Sequence, residues 1–293
     1  MATKRSSAGL SQVLVCLPKM LPRHKWLESA RIAREVNPVN HAPVERLAGL
    51  MRGFAATPQR LAVVVTRYWG NAGVRLTVGF LDNPPTDLRK HILEHMNAWA
   101  KTANVTFVLS SSGPQVRIAR QGGAKGGYWS YVGTDILSID ANQPTMNLEA
   151  FTMKTPESEF HRVVRHETGH TLGFPHEHMR RALVKLIDRA KAIAYFKKTQ
   201  GWSPTETQQQ VLTPIEESSL RGTPDADPNS IMCYQIPGEI TTSGKPIVGG
   251  LDIDASDYDF AGSIYPKSLS AKHGTRVLAA VGKRKHKSRQ GRG

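Results

Sequence analysis

The stretch V-V-R-H-E-T-G-H-T-L-G-F-P-H-E-H-M, residues 163–179, gathers four of the chain's eleven histidines and two of its glutamates into seventeen positions. These are side chains that bind divalent metals and move protons near neutral pH. His166 and His170 stand four apart, so on a helix their imidazoles leave the same face one turn apart and can share one ion. Two ligands hold zinc poorly. Gly173 lets the helix stop and the chain reverse, which brings His176 within reach of the same ion. The pattern H-E-x-x-H-x-x-G-x-x-H then offers three neutral nitrogen ligands to one Zn2+ and leaves a position open for water. Glu167 follows the first ligand and is placed to take that water's proton. Five fixed identities at about 5 % each, over about 280 starting points, give a chance expectation on the order of one in ten thousand. A helix with incidental surface histidines is therefore a poor explanation.

Such a site needs a helix, a turn and a floor. The motif helix is expected to begin near Pro156–Glu159 and to end at Gly173, with Pro175 just beyond. Upstream, LAVVVTRYW, VRLTVGFL, VTFVLS, QVRIAR, YWSYVG and ILSID read as strands. Among them, TDLRKHILEHMNAWAKTA reads as a helix whose Leu88, Ile92, Met96 and Trp99 share one face. Downstream, a helix over 183–199, a polar segment 203–230 and a short capped helix in DIDASDYDFAGSIYP are expected. Strands first and helices later predict an α+β fold with the motif helix between the halves.

Composition bounds the class. The chain has 293 residues, 39 % of them hydrophobic, enough for a real core, and no apolar run long enough to predict a membrane span. The net charge of +15 is unevenly placed. Residues 1–60 hold ten Lys/Arg against three Glu, and residues 267–293 hold nine against no acid. The middle is almost neutral. This predicts a basic N-terminal extension over 1–60, a domain over 61–266 and a basic, solvated tail over 267–293, with no specific nucleic-acid partner. Cys16 and Cys233 are the two cysteines; a bridge between them is open, but the chain is not a disulfide scaffold. No signal peptide is recognisable, so a cytoplasmic location is expected, with non-standard secretion as the alternative. A monomer is expected.

H-E-T-G-H-T-L-G-F-P-H-E-H resembles the zinc-binding stretch of the metzincin metalloproteases, and Gly-Phe before the third histidine with Glu177 after it resembles the astacin family. The downstream N-S-I-M-C-Y-Q, residues 229–235, is similar to the metzincin Met-turn, with Met232 in the methionine's place. Tyr234, two residues on, stands where an astacin tyrosine reaches the metal or the developing oxyanion. The segments RYWGNAGVRLTVGF and GYWSYVG extend the likeness over roughly residues 60–266. The resemblance implies a metzincin-like domain: a twisted sheet with an antiparallel edge, an active-site helix above a cleft, and a less regular C-terminal subdomain. It further implies one catalytic zinc on His166, His170 and His176, Glu167 and Tyr234 as catalytic groups, and a peptide substrate bound in extended form. The implied activity is that of a zinc-dependent endopeptidase acting by Glu-assisted attack of a zinc-bound water.

The chain also departs from the family. It lacks the cysteines for the two disulfides of animal astacins, and after Arg180 it loses their acidic pattern. Residues 1–81 contain no aspartate, which excludes the aspartate latency of many astacin precursors. Cys16 could supply a thiolate instead, but it reads more simply as an inert apolar residue. Glu177 is expected to pair with an N-terminus freed near Arg60 or, failing that, with another partner. H-I-L-E-H, residues 91–95, is a reversed zinc motif that reads as an ordinary amphipathic helix with surface histidines. His161 and His178 read as neighbours of the site rather than ligands, and Tyr195, Phe196 and Trp202 as core. The rival from another class is a noncatalytic zinc-containing protein whose basic flanks contact anionic polymers or surfaces.

Overall fold

The computed structural model describes residue 16 and residues 19–41, 66–123, 126–214 and 225–267. VRLTVGF alternates as a half-buried strand should, and β1 (Val74–Phe80) turns Val74, Leu76 and Val78 to the core while Arg75 faces solvent. It pairs in parallel with β2 (Val105–Leu109) on one side and β3 (Val116–Ala119) on the other, with Val74 opposite Val105 and Val78 opposite Val116. β4 (Tyr128–Ser130) and β5 (Met146–Leu148) complete a five-stranded sheet in the order β2-β1-β3-β5-β4. β3 and β5 are parallel; β4 runs antiparallel to β5 and forms one edge. Parallel neighbours need crossovers, and α2 (Thr86–Met96), followed by the turn Asn97–Lys101, supplies the one between β1 and β2.

Two expected strands differ, and one strand was not foreseen. Of LAVVVTRYW only residues 66–69 lie among those described, and they are not strand. ILSID is not a strand either: Gly133 takes φ +49°, and Gly133–Ser138 winds into a 3-10 helix. β5 carries no alternation to betray it, because Met146, Asn147 and Leu148 are all buried.

The helix that bears the motif runs on without a break from Glu157 to Thr171, through a π-helical turn at Phe160–Val164 into α3 (Arg165–Thr171). Phe160, Val163 and Val164 bury one face of it against the sheet core, which includes Trp99, Phe151, Phe174 and Met232. Trp99 is wholly buried and its Nε1 donates to the Arg165 carbonyl at 2.9 Å, so Trp99→Ala would cost about 3–5 kcal/mol.

The helix expected over 183–199 is split. Asp188 gives its backbone N–H to Ile240 and its side chain accepts from Lys191 N, capping a new helix, α4 (Arg189–Gln200). α4 ends at Gly201, φ +70°. Phe196 stacks on Trp202 with ring centroids 4.8 Å apart, in a second core with Ile236, Ile240 and Tyr234, so these aromatics are packing groups as expected. α5 (Ala255–Ile264) opens on a capping box made by Asp254 and Asp257. α1 (Trp26–Val36) belongs to the N-terminal segment and packs on the Gly133–Ser138 turn. Among the described residues no helix is long and apolar enough to cross a membrane.

Candidate metal centre

α3 presents His166 and His170 one turn apart, and the chain then reverses at Gly173, φ +95°, where a side chain would press on the Arg67 carbonyl. Phe174 N returns to the Gly169 carbonyl at 3.0 Å, and the turn delivers His176. His176 Nε2 lies 3.1 Å from His166 Nε2 and 2.9 Å from His170 Nε2. The tautomers follow from the other ring nitrogens. His166 Nδ1 faces the Ile231 carbonyl at 2.6 Å and His170 Nδ1 faces the Phe174 carbonyl at 2.8 Å, and a nitrogen facing a carbonyl oxygen must be the donor. Both Nε2 atoms are therefore bare lone pairs that converge on His176 Nε2, where a cation would be shared by all three rings. The spacing approaches the ~3.3 Å edge of a tetrahedron with metal–nitrogen bonds of about 2.0 Å. Burial holds all three histidines neutral: His166 and His176 lie well below the usual histidine pKa and His170 near 4. The donor set fits zinc.

Glu167 is buried beside these rings, and its Oε2 has no hydrogen-bond partner among the described residues. Burial pushes its carboxyl up to about 8, against the pull of the Arg162 guanidinium. Tyr234 stands on the other side, its ring centroid 4.3 Å from that of His176 and its hydroxyl likewise unpartnered. A cleft at this point is lined by Cys16, Tyr128, Arg162, Glu167, Tyr234 and Gln235, among others. Met232 lies beneath: a Cβ on Gly169 would land on its sulfur, and would also come within 3.2 Å of Trp99.

Glu177 accepts from Asp227 N at 3.0 Å and faces Arg180 Nη1 at 3.4 Å, and burial raises its pKa to about 7. With residues 1–60 in place, these groups serve as its partners. His178 is buried and stacks on Tyr234, while His161 pairs with Asp252 at 2.8 Å; neither belongs to the three-nitrogen focus.

One contributor escaped the sequence reading, and a second was named there and set aside. Asp257 accepts from Ser230 Oγ at 2.6 Å and Ile231 N at 2.8 Å, so α5 holds the turn whose Ile231 carbonyl orients His166. Its place in the capping box with Asp254 is local to α5; this second duty depends on tertiary contact alone. The other is Cys16. It is no bystander: its sulfur lies with the three histidine nitrogens in a set of ligand atoms all within 4.8 Å of one another. The thiol rests against the Glu167 carboxyl and the Tyr234 hydroxyl, and both it and Cys233 are free, so the bridge between them does not form.

The reversed motif is less superficial than expected. His95 is buried, and Glu157 from the start of the motif helix meets His91 Nε2 at 2.8 Å and His95 Nε2 at 3.0 Å. The glycine loop at 122–127, whose residues 124 and 125 lie outside those described, packs on the Glu149 carboxylate, which accepts from Gly127 N.

A model of the peptidase family Astacin matches residues 64–236. Zinc metalloproteinase nas-27 of Caenorhabditis elegans is 33 % identical over 99 residues, 33 % of this chain and 20 % of that protein, so the chain spans about a fifth of this curated relative. The structure of myroilysin is similar with a TM-score of 0.64 and 32 % identity, over 69 % of this chain and 97 % of that one. A crystal structure of myroilysin gives a TM-score of 0.52 and 32 % identity, over 69 % and 86 %.

Proposed function

Since the chain belongs to the astacin family of zinc metallopeptidases, whose members use one catalytic zinc, we propose that it is a zinc-dependent endopeptidase working through Glu167 and Tyr234. Its α+β fold, with a mostly parallel five-stranded sheet, is of the astacin and metzincin type. Membership overturns the cytoplasmic location expected when no signal peptide was recognised, because astacin-family proteases are typically secreted or extracellular. Residues 61–266 are read as the catalytic unit, flanked by the extension 1–60 and the tail 267–293.

The observation that carries the reading is the convergence of bare histidine nitrogens beside a buried carboxylate oxygen that has no partner among the described residues. His166, His170 and His176 would hold the zinc, which when bound polarises water and the scissile carbonyl. Glu167 takes the proton of the attacking water and delivers it to the leaving amine nitrogen. Tyr234 donates its hydroxyl proton as a hydrogen bond to the oxyanion. The peptide substrate adds itself in extended form along the outer side of β4, the sheet edge next to the cleft.

The test is hydrolysis of an unbiased peptide mixture by the zinc-loaded full-length chain, run as such and as Cys16→Ala, since the Cys16 sulfur stands at the focus. Chelation should abolish cleavage. Glu167→Gln in the Cys16→Ala chain should keep its zinc and lose at least two orders of magnitude in turnover. Undiminished turnover in that variant would remove Glu167 from the mechanism.

A further inference from the structure

The N-terminal segment is tied to the body at both ends. Asn40, wholly buried, donates through Nδ2 to the Tyr68 carbonyl at 2.8 Å and accepts at Oδ1 from Tyr68 N at 3.1 Å and Thr66 Oγ1 at 2.8 Å. α1 lies on the Gly133–Ser138 turn, where Lys25 Nζ donates to the Ser138 carbonyl at 2.9 Å and Ser29 Oγ donates to Asp135. Lys19 then reaches β4: its N–H points at the Ser130 carbonyl at 3.4 Å in a parallel bridge to Tyr131, and its ammonium stands 4.9 Å over the Trp129 ring. Three residues earlier, Cys16 enters the histidine focus with its side chain buried against Glu167 and Tyr234.

We propose that the Cys16 sulfur is the fourth ligand to the zinc and that the segment from Cys16 to Asn40 thereby holds the full-length chain latent, an inference that rests on the catalytic reading above. Three nitrogens and one thiolate complete a tetrahedral site, whereas hydrolysis needs the fourth position for water. On ligation the S–H bond breaks, its proton leaves to solvent, and the sulfur–zinc bond forms with no change of oxidation state. The same residue covers the base and the oxyanion donor, and Lys19 takes the edge of β4 that an extended peptide would use. A permanently closed structural site would have no use for a buried carboxyl beside the metal whose Oε2 has no partner among the described residues. Activation is withdrawal of the thiolate, achieved by hydrolysis of one peptide bond between the segment and the domain at the cost of one water.

The full-length chain loaded with Co2+ should show sulfur-to-cobalt charge-transfer absorption that Cys16→Ser lacks. In the zinc-loaded wild-type chain, iodoacetamide should leave Cys16 untouched and modify it once a chelator has removed the metal, as read by peptide mass mapping. Cys16→Ala should cleave the peptide mixture at least about a hundredfold faster than wild type. Absence of the sulfur band, or equal alkylation with and without zinc, overturns the ligation; equal hydrolysis by wild type and Cys16→Ala overturns the latency. A sulfur band and protected thiol with no hydrolysis by Cys16→Ala would leave the ligation standing and defeat the peptidase reading instead. If Cys16→Ala fails to fold, the cobalt spectrum and the alkylation pattern of the wild-type chain still decide the ligation.

Discussion

Two histidine clusters answer to mirror-image motifs in this chain, H-E-x-x-H at 166–170 and H-x-x-E-H at 91–95, and the way each is satisfied sets them apart. At 166–176 the Nδ1 atoms of His166 and His170 donate to backbone carbonyls, so their bare Nε2 atoms meet at a buried point. At 91–95 a carboxylate is already present. Glu157 accepts from the Nε2 atoms of His91 and His95, and Arg165 Nε points at His95 Nδ1 at 3.3 Å, so a metal at this trio would have to displace hydrogen bonds already made. Glu94, the acid inside the reversed motif, faces solvent. One cluster is assembled for a cation; the other is a hydrogen-bonded staple between α2 and the start of the motif helix.

The sharpest way to break this contrast is to delete one ligand from each cluster. His176→Ala should weaken zinc binding by at least about a thousandfold in a competitive chelator titration, whereas His91→Ala should leave the stoichiometry at one zinc per chain. Two zincs in the wild-type chain, falling to one in His91→Ala, would erase the distinction. Next in size is Asp257→Asn, which loosens the Ser230 and Ile231 contacts and through them the carbonyl that orients His166. Zinc affinity should fall about tenfold, measured in the same titration.

Smaller still is His95→Ala, which removes a buried ring stacked 5.3 Å from Phe160 and should lower unfolding free energy by about 1–2 kcal/mol in urea with zinc content unchanged. The smallest effect is one of pH. Burial depresses the His95 pKa below 6.5, more than the attraction of Glu157 restores, so the folded chain favours the neutral ring. The unfolded chain takes up that proton first. This contribution to stability is present above about pH 6.5 and is lost as the pH falls through the depressed folded value. The Glu157 pKa, lowered by its histidine partners, acts in the same direction below 4.5. The urea midpoint should therefore decline between about pH 7 and pH 5, and His95→Phe should flatten that decline.

Much of the fold was legible because its signals are local. Alternation announced β1, one-sided apolar spacing announced α2, and Gly173 announced the turn at which the motif helix ends. Where the signal is tertiary, sequence reading failed. β5 has three buried residues and no alternation, and Gly133 bends ILSID into a 3-10 turn. Asp188 cuts a helix that looked continuous because its backbone partner, Ile240, lies fifty-two residues away. The same holds at the candidate centre. His166, His170 and His176 could be picked out by spacing along a short contiguous stretch, yet Cys16 lies 150 positions from His166 and nothing in its neighbours marks it as more than a small apolar side chain. Location misled for a different reason: the expectation rested on a signal not found, and an absence carries no physical information about where a chain resides.

H-E-x-x-H is usually spelled with two blanks, and here the second blank is Gly169. A Cβ there would meet the Met232 sulfur, so in this chain the blank is filled by volume: the missing side chain is the space that the methionine of the downstream turn occupies, and any larger residue at that place would have to be matched by a displaced Met232.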